Sequence, residues 1–378
     1  MQKKVTIKEL VNWISAILWG WFLLSFWTIL PIPKFPISNE AITAFIILAL
    51  QLLVNVNYSQ ILHYKDSEFN LLAIIGFITL FCMFLVNSHL GAFFTVMNFC
   101  LLLFLCDKWQ WTSAQICCVV ACCIAVFLSW VIKPQLWGEI TNPNMIGTVT
   151  TFSMLVIVST LEYFFPKKKW SLILQLLLII ISFYQVITHH GRGTLIGLLF
   201  YCFLRFFFSK YWNKKKVTYI GIFYLVTLGS VIFSALYTIA WHLTKDRPKQ
   251  IILGKSLFSG REVIWNEFWQ RFLQKPFTGT GTNFVVECYF EFNVHNAMFD
   301  ILAVHGVIVF CLVVYYIIKK MTTLYHNYRH VYIFIPVICG MLAVFAESFT
   351  DMDLLWTPQF LVWSVMLLLL NPAKDIKE

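Results

Sequence analysis

The sequence predicts an all-α polytopic membrane protein, and three observations carry that prediction. Of the 378 residues, 60% are hydrophobic and 12% charged, where a soluble protein carries roughly 25% charge. Mean hydropathy is +0.76, too high for the surface of a globular domain in water and opposite to the low hydrophobicity that disorder requires. Apolar runs repeat almost without pause from Val11 to Leu370, so a single transmembrane domain over 1–378 is expected, with no second, soluble one.

Each run able to cross about 30 Å of hydrocarbon reads as a spanning helix. About twelve result, over 11–30, 41–56, 71–86, 90–105, 113–132, 145–165, 170–187, 194–208, 217–241, 295–318, 332–346 and 354–370. The first follows a Lys-rich start that resembles a signal peptide. It holds Trp13, Trp19, Trp21 and Trp27 and lacks an A-x-A-like site, so it is expected to be a retained helix. Runs two to four carry no Asp, Glu, Lys or Arg. The fifth groups Cys117, Cys118, Cys122 and Cys123 at helical spacing with no neighbouring His or carboxylate, which suits small packing residues better than a metal site. Eleven cysteines, ten of them in or beside spans and Cys288 alone outside, make a disulfide framework unlikely on arithmetic. The sixth ends with Glu162 near Lys167, Lys168 and Lys169, and the seventh and eighth flank a short glycine-containing turn. The ninth leads into one long polar segment, expected at 242–294. The tenth holds Asp300 and His305, the clearest intramembrane ionisable groups, and the last two flank Glu347, Asp351 and Asp353.

The net charge of +10 could be misread as a nucleic-acid footprint, but its distribution follows the positive-inside rule. Eighteen of the 28 Lys and Arg fall on the side of both termini. Of the others, seven lie in the segment from Lys245 to Lys275, and the short outer loops hold only Lys34, Lys133 and Arg192. Both termini are therefore expected in the cytoplasm and the 242–294 loop outside. A proton-coupled transporter would string ionisable groups through the bilayer centre, often in two related halves. Neither the string nor a repeat is present.

Polarity gathers at the outer face in three segments. His189-His190-Gly191-Arg192-Gly193 is a turn whose glycines permit close approach to an arginine, or else an interfacial turn with a snorkelling Arg. In 259–276, Ser259 and Glu262 fit an S-x-x-E capping box, Pro276 ends the run, and Ile264, Phe268 and Phe272 recur every four residues beside Trp265 and Trp269. That pattern predicts an amphipathic helix lying on the outer membrane surface. Arg261 in its first turn makes an anion-binding arrangement, unless it merely pairs with Glu262 or Glu267. The third segment joins the turn 277–283 to His295, Asn296 and Asp300. A histidine at the level where headgroups meet water suits a general base, and equally a hydrogen-bonded structural residue.

Asn142-Pro143-Asn144, Gly191-Arg192-Gly193, Gly260-Arg261 with Trp265, Pro276-x-x-Gly279-x-Gly281, and His295-Asn296 with Gly306 occur in that order. The combination resembles the O-antigen ligase and polymerase superfamily over roughly 142–306, and the twelve-span layout with one long outer loop agrees over the whole length. One departure is Val304, where members often carry a Glu shortly before the glycine aligned with Gly306.

The resemblance implies a GT-C-type glycosyltransferase fold in a bacterial inner (cytoplasmic) membrane, with the active site on the extracytoplasmic face. The implied activity transfers an undecaprenyl-pyrophosphate-linked glycan to an acceptor hydroxyl, without a metal or other cofactor and with inversion. Polymerisation of surface polysaccharide repeat units (O-antigen, capsule or exopolysaccharide) is favoured over ligation to a lipid or protein acceptor, and over a transporter or flippase of lipid-linked oligosaccharide, which could also hold pyrophosphate with outer arginines but would need paired inward and outward sites. The implied partners are the lipid-linked donor, the acceptor glycan, the bilayer, and flippase and chain-length regulator proteins. Arg192 and Arg261 match the two phosphate-binding arginines and His295 the essential histidine, with His190, Asn296 and Asp351 expected to bind substrate beside them. Asp300 lies about 140° round a helix from His295, so Glu347, Asp351 or Asp353 is expected to orient it. Asp351-Met352-Asp353 also reads as a D-x-D metal motif. Such motifs usually serve nucleotide sugars on the cytoplasmic side, so no metal is expected.

Overall fold

The computed structural model describes residues 6–28, 30, 33, 39–56, 66–133, 144–244, 251–252, 255–256, 258, 260–283, 286 and 294–371. Asn142, Pro143, Ser259 and Cys288 lie outside them. Thirteen helices form among the described residues: α1 (Ile7–Trp27), α2 (Glu40–Asn55), α3 (Ser67–Val86), α4 (Leu90–Leu105), α5 (Ser113–Ile132), α6 (Asn144–Phe164), α7 (Lys169–Thr188), α8 (Arg192–Trp212), α9 (Lys216–Thr244), α10 (Arg261–Gln274), α11 (Ala297–Tyr328), α12 (Phe334–Glu347) and α13 (Thr357–Leu368). Eight of them are long and apolar enough to cross a membrane, and α2, α4, α12 and α13 are shorter apolar helices. These twelve fall on the twelve expected runs, and α10 is the helix expected in the long loop. Among the described residues, strand is limited to a two-residue antiparallel pairing of β1 (Ile251–Ile252) with β2 (Lys255–Ser256).

Helix ends coincide with side chains able to cap them. Thr6 with Glu9, and Thr112 with Gln115, form reciprocal capping boxes, and Asp66 accepts from two first-turn amides of α3. Helix α6 lies at the centre: every residue from Ile146 to Thr160 is buried, whereas α3 and α7 bury only one side. The outward faces of the peripheral helices carry Phe77, Phe84, Ile173, Ile180 and Leu225, all exposed, which suits hydrocarbon around the bundle. Tryptophans tie α1 to its neighbours. Trp19 and Trp27 donate to the Leu361 and Pro358 carbonyls of α13, and Trp130 of α5 donates to that of Trp27. Cys122 packs directly over Gly20 of α1, so this cysteine does act as a packing residue.

At one end of the bundle, interior ion pairs join elements far apart in sequence. Lys320 is completely buried and donates to Asp107 at 2.7 Å and Glu68 at 3.1 Å. The expected tenth span ends at residue 318, with Lys320 just beyond it on the side of both termini. Instead α11 continues to Tyr328, because two carboxylates neutralise the lysine inside the packing. Similarly, Glu162 pairs with Arg205, at 3.4 Å. Arg205 sits in a π-helical stretch of α8, Phe203–Phe208.

Gly306 (φ 85°, ψ 170°) interrupts the long helix α11. The interruption strands carbonyls that would otherwise bond within the helix, and the turn after α10 satisfies them. Thr280 N donates to the Ala303 carbonyl and Gly281 N to that of Val304, while Val307 N donates to the Pro276 carbonyl. Gly279 and Gly306 meet face to face, and a Cβ on Gly306 would lie 2.8 Å from the Gly279 nitrogen.

Candidate active site

At the other end of the bundle, α8, α10 and α11 begin and α12 ends. Arg192 opens α8, Arg261 opens α10, and His295 precedes the cap of α11. Glu347 closes α12, with Asp351 and Asp353 in the loop that follows.

Helix α8 reaches this place because its small residues permit it. A Cβ on Gly197 would lie 2.7 Å from the Ala343 carbonyl of α12, and one on Gly193 would overlap Thr350. The glycine flanking Arg192 thus seats α8 against the carboxylate-bearing loop. Arg192 is near enough to Arg261 for the two charges to repel, and near enough to Tyr237 of α9 for their charges to interact. His190 adopts φ 56° on an exposed turn. It makes no hydrogen bond to His295, Arg261 or Asp351 among the described residues.

Helix α10 forms as its period predicts, but its apolar face is not turned to lipid. Ile264, Trp265, Phe268 and Phe272 are buried against α9 and α11. Trp265 lies edge-on to Phe233 and Tyr237 of α9, and Trp269 stacks on Phe299 at 4.5 Å. The expectation that this face meets the bilayer is corrected accordingly: aromatics of α9 and α11 cover it. The cap differs too. Gly260, at φ 97°, is the N-cap, and the Glu262 carboxylate accepts from its N–H at 2.9 Å. Trp265 Nε1 donates to the Val294 carbonyl at 2.6 Å, fixing the helix that carries Arg261 to the residue before His295.

His295 takes a left-handed backbone, φ 50°, a conformation uncommon outside glycine and often found at functional sites. Its Nδ1 lies 3.2 Å from Asp351 Oδ1, and Arg261 Nη2 lies 3.4 Å from Asp351 Oδ2. Asp351 therefore bridges the expected base and one expected phosphate-binding arginine. Asn296 behaves differently from the expectation. Its Oδ1 accepts from Ser230 Oγ and from Phe299 N, and its Nδ2 donates to the carbonyls of Ser230 and Phe349. Those four bonds use the amide's whole capacity, so Asn296 caps α11 and moors it to α9 and the α12–α13 loop rather than presenting itself to a ligand. Ser230 was not singled out from sequence; a serine within an apolar run carries no signal of its own.

Carboxylate oxygens of Glu347, Asp351 and Asp353 all lie within 4.8 Å of one another. Burial pushes Asp351 up, but the His295 hydrogen bond and the Arg261 charge outweigh it and hold its carboxyl below the ordinary value. Burial, and then the Asp351 charge, raise Asp353 to about 7. The donor set is a poor match for a divalent cation, because both Asp351 oxygens are engaged by His295 and Arg261.

Residues 176–314 match the family model described as O-Antigen ligase. No curated protein and no solved structure matches the chain. The matched segment contains Arg192, Arg261, His295 and the Gly279–Gly306 contact, and ends before the loop that supplies Asp351. It supports the O-antigen ligase and polymerase superfamily and, in general terms, glycan transfer from lipid-linked substrates by a membrane protein. His305, buried in α11, has neither ring nitrogen hydrogen-bonded among the described residues, and Asp300 lies one turn into the same helix. Neither is joined to His295 by a hydrogen bond.

Proposed function

We propose that this protein is a metal-independent polymerase of surface polysaccharide repeat units, with the GT-C-type fold, working at the extracytoplasmic face of a bacterial inner membrane. The observation that carries the reading is the Arg261–Asp351–His295 chain of contacts, with Arg192 beside it. A carboxylate on Nδ1 of a neutral imidazole leaves the lone pair on Nε2, the nitrogen that accepts a proton. The acceptor hydroxyl oxygen attacks the anomeric carbon as its proton passes to His295 Nε2. The bond from that carbon to the pyrophosphate oxygen breaks on the opposite face, inverting the centre. The electron pair stays on the polyprenyl pyrophosphate, whose charge Arg192 and Arg261 neutralise. His190, exposed on the Arg192 turn, contributes at most to the rim of the glycan site.

Membranes containing wild type, His295→Ala, Arg192→Ala or Arg261→Ala, supplied with lipid-linked repeat unit, test the reading. A ladder of glycan lengths from wild type, lost in the three variants and indifferent to chelator, is expected. Unchanged ladders in the variants would refute the site. The family description favours a second reading, ligation of a finished glycan to a lipid or protein acceptor. In cells lacking the protein, single repeats mark a polymerase and unattached full-length chains mark a ligase.

A further inference from the structure

Glu347 and Asp353 take no part in the mechanism above, yet they are among the most enclosed acids in the protein, 3% and 8% exposed. Their carboxylates lie within 4.8 Å of each other and of Asp351. Glu347 Oε2 is buried with no hydrogen-bond partner among the described residues, so one member of the trio carries a buried acceptor that no donor there satisfies. Asp351 is committed: its Oδ1 accepts from His295 and from Met352 N, and its Oδ2 faces Arg261. The ionisable groups acting on the trio from the elements around it are Arg261 of α10 and His295 before α11, with Arg192 of α8 beside Arg261. One guanidinium and one imidazole face three carboxylates, so negative charge is in excess.

We infer that Glu347 and Asp353 share a single proton, and that this proton keeps Asp351 ionised, so that it holds His295 and Arg261 in place. The inference builds on the proposed role of His295 as the base. Two carboxylates this close in a buried setting do not both ionise near neutrality, and titrate as a pair rather than singly. A proton between them also gives Glu347 the partner it lacks. A divalent cation would have to draw Asp351 away from both its partners and sit beside the Arg261 guanidinium. The elevation of Asp353 agrees with the proton. Glu347 and Asp353 are thus positioning residues: they act through the charge of Asp351 and touch no reacting atom.

Infrared difference spectra of the full chain in lipid nanodiscs, recorded from pH 5 to 9 without substrate, test the proton directly. Wild type is expected to show a protonated-carboxyl C=O band at pH 7 that shifts in D2O and titrates away with alkali. The E347Q/D353N double variant, or either single variant if the double does not fold, is expected to lose or alter that band. Absence of any band difference between wild type and variants overturns the inference. So does a band removed by Mg2+ or Ca2+ at constant pH, which would make the trio a cation site. In the glycan assay, removing the pair's negative charge makes the His295 imidazolium less favourable. The acid limb of the pH–rate profile is then expected to move down by about one unit, and an unmoved limb overturns the positioning role. Because the band is read without substrate, a wild type inert in glycan assays would defeat the polymerase reading while the band still decides the proton.

Discussion

Asp351→Asn removes the charge of the residue that joins His295 to Arg261. Asn retains a carbonyl oxygen to accept from Nδ1, so ring orientation survives, while the negative charge and the acceptor facing Arg261 are lost. The imidazolium formed as His295 takes the acceptor proton lies against Asp351 Oδ1, 3.2 Å from Nδ1. Unit charges about 4 Å apart attract by about 4 kcal/mol at an effective dielectric near 20. The two side chains are 23% and 27% exposed, and screening of that order halves the figure to about 2 kcal/mol. The expected loss is about 30-fold in kcat, with the acid limb of the rate profile displaced to lower pH. Asp351→Ala, which also releases the ring, is expected to cost about 10²- to 10⁴-fold. The assay is the initial rate of chain extension in membranes across pH, normalised to the amount of folded protein. Wild-type rates for Asp351→Asn at every pH, beside an inactive His295→Ala, would refute the argument that Asp351 stabilises the proton on His295.

Three further outcomes follow from the same structure. Gly306→Ala places a Cβ against the Phe277 carbonyl and 2.8 Å from Gly279 N at φ 85°, so a loss of about 2 kcal/mol and a lowered Tm in detergent are expected; an unchanged Tm would deny the interlock. In the folded chain Asp353 is raised from 3.8 to about 7. Between those limits the folded state binds more protons than the unfolded one, and stability falls as pH rises. Wild type is therefore expected to lose stability relative to Asp353→Asn from about pH 4 to about pH 7, and a difference flat across that window contradicts it. Asp351, held low, works in the opposite sense, contributing stability above its ordinary value that disappears as pH falls through its folded value. Lys320→Met leaves Asp107 without its buried partner and is expected to cost about 3 kcal/mol, measured as Tm, with partial recovery when Glu68→Gln and Asp107→Asn are added. No recovery would show that packing of the lysine stem, not charge, matters.

The helices were legible because membrane spans announce themselves locally: an apolar run and its polar flanks fix a helix without knowledge of its neighbours. Partners were not legible for the same reason. The 3.6-residue period of α10 reveals which face is apolar, but lipid and the aromatics of α9 cover such a face equally well. Lys320 stands at the end of an apolar run like any flanking lysine. Its acids lie 213 and 252 residues away in the chain. The arginines and the histidine were accessible from their spacing and resemblance. The choice among three acids was not, since it depends on how α12 ends against α8. Asn296 shows the converse error, where a polar residue beside a candidate base turns out to be spent on the fold.

Mechanically, α11 is two rods joined by a splice. The short rod, residues 297–305, is moored by Asn296 to Ser230 and Phe349. The long rod, 307–328, ends at the Lys320 anchor. The turn of 276–281 grips the joint through the Thr280, Gly281 and Pro276 bonds. The two rods are thus held separately, each by its own contacts, and the bond from Trp265 to the Val294 carbonyl sets the start of the short rod against the helix that carries Arg261.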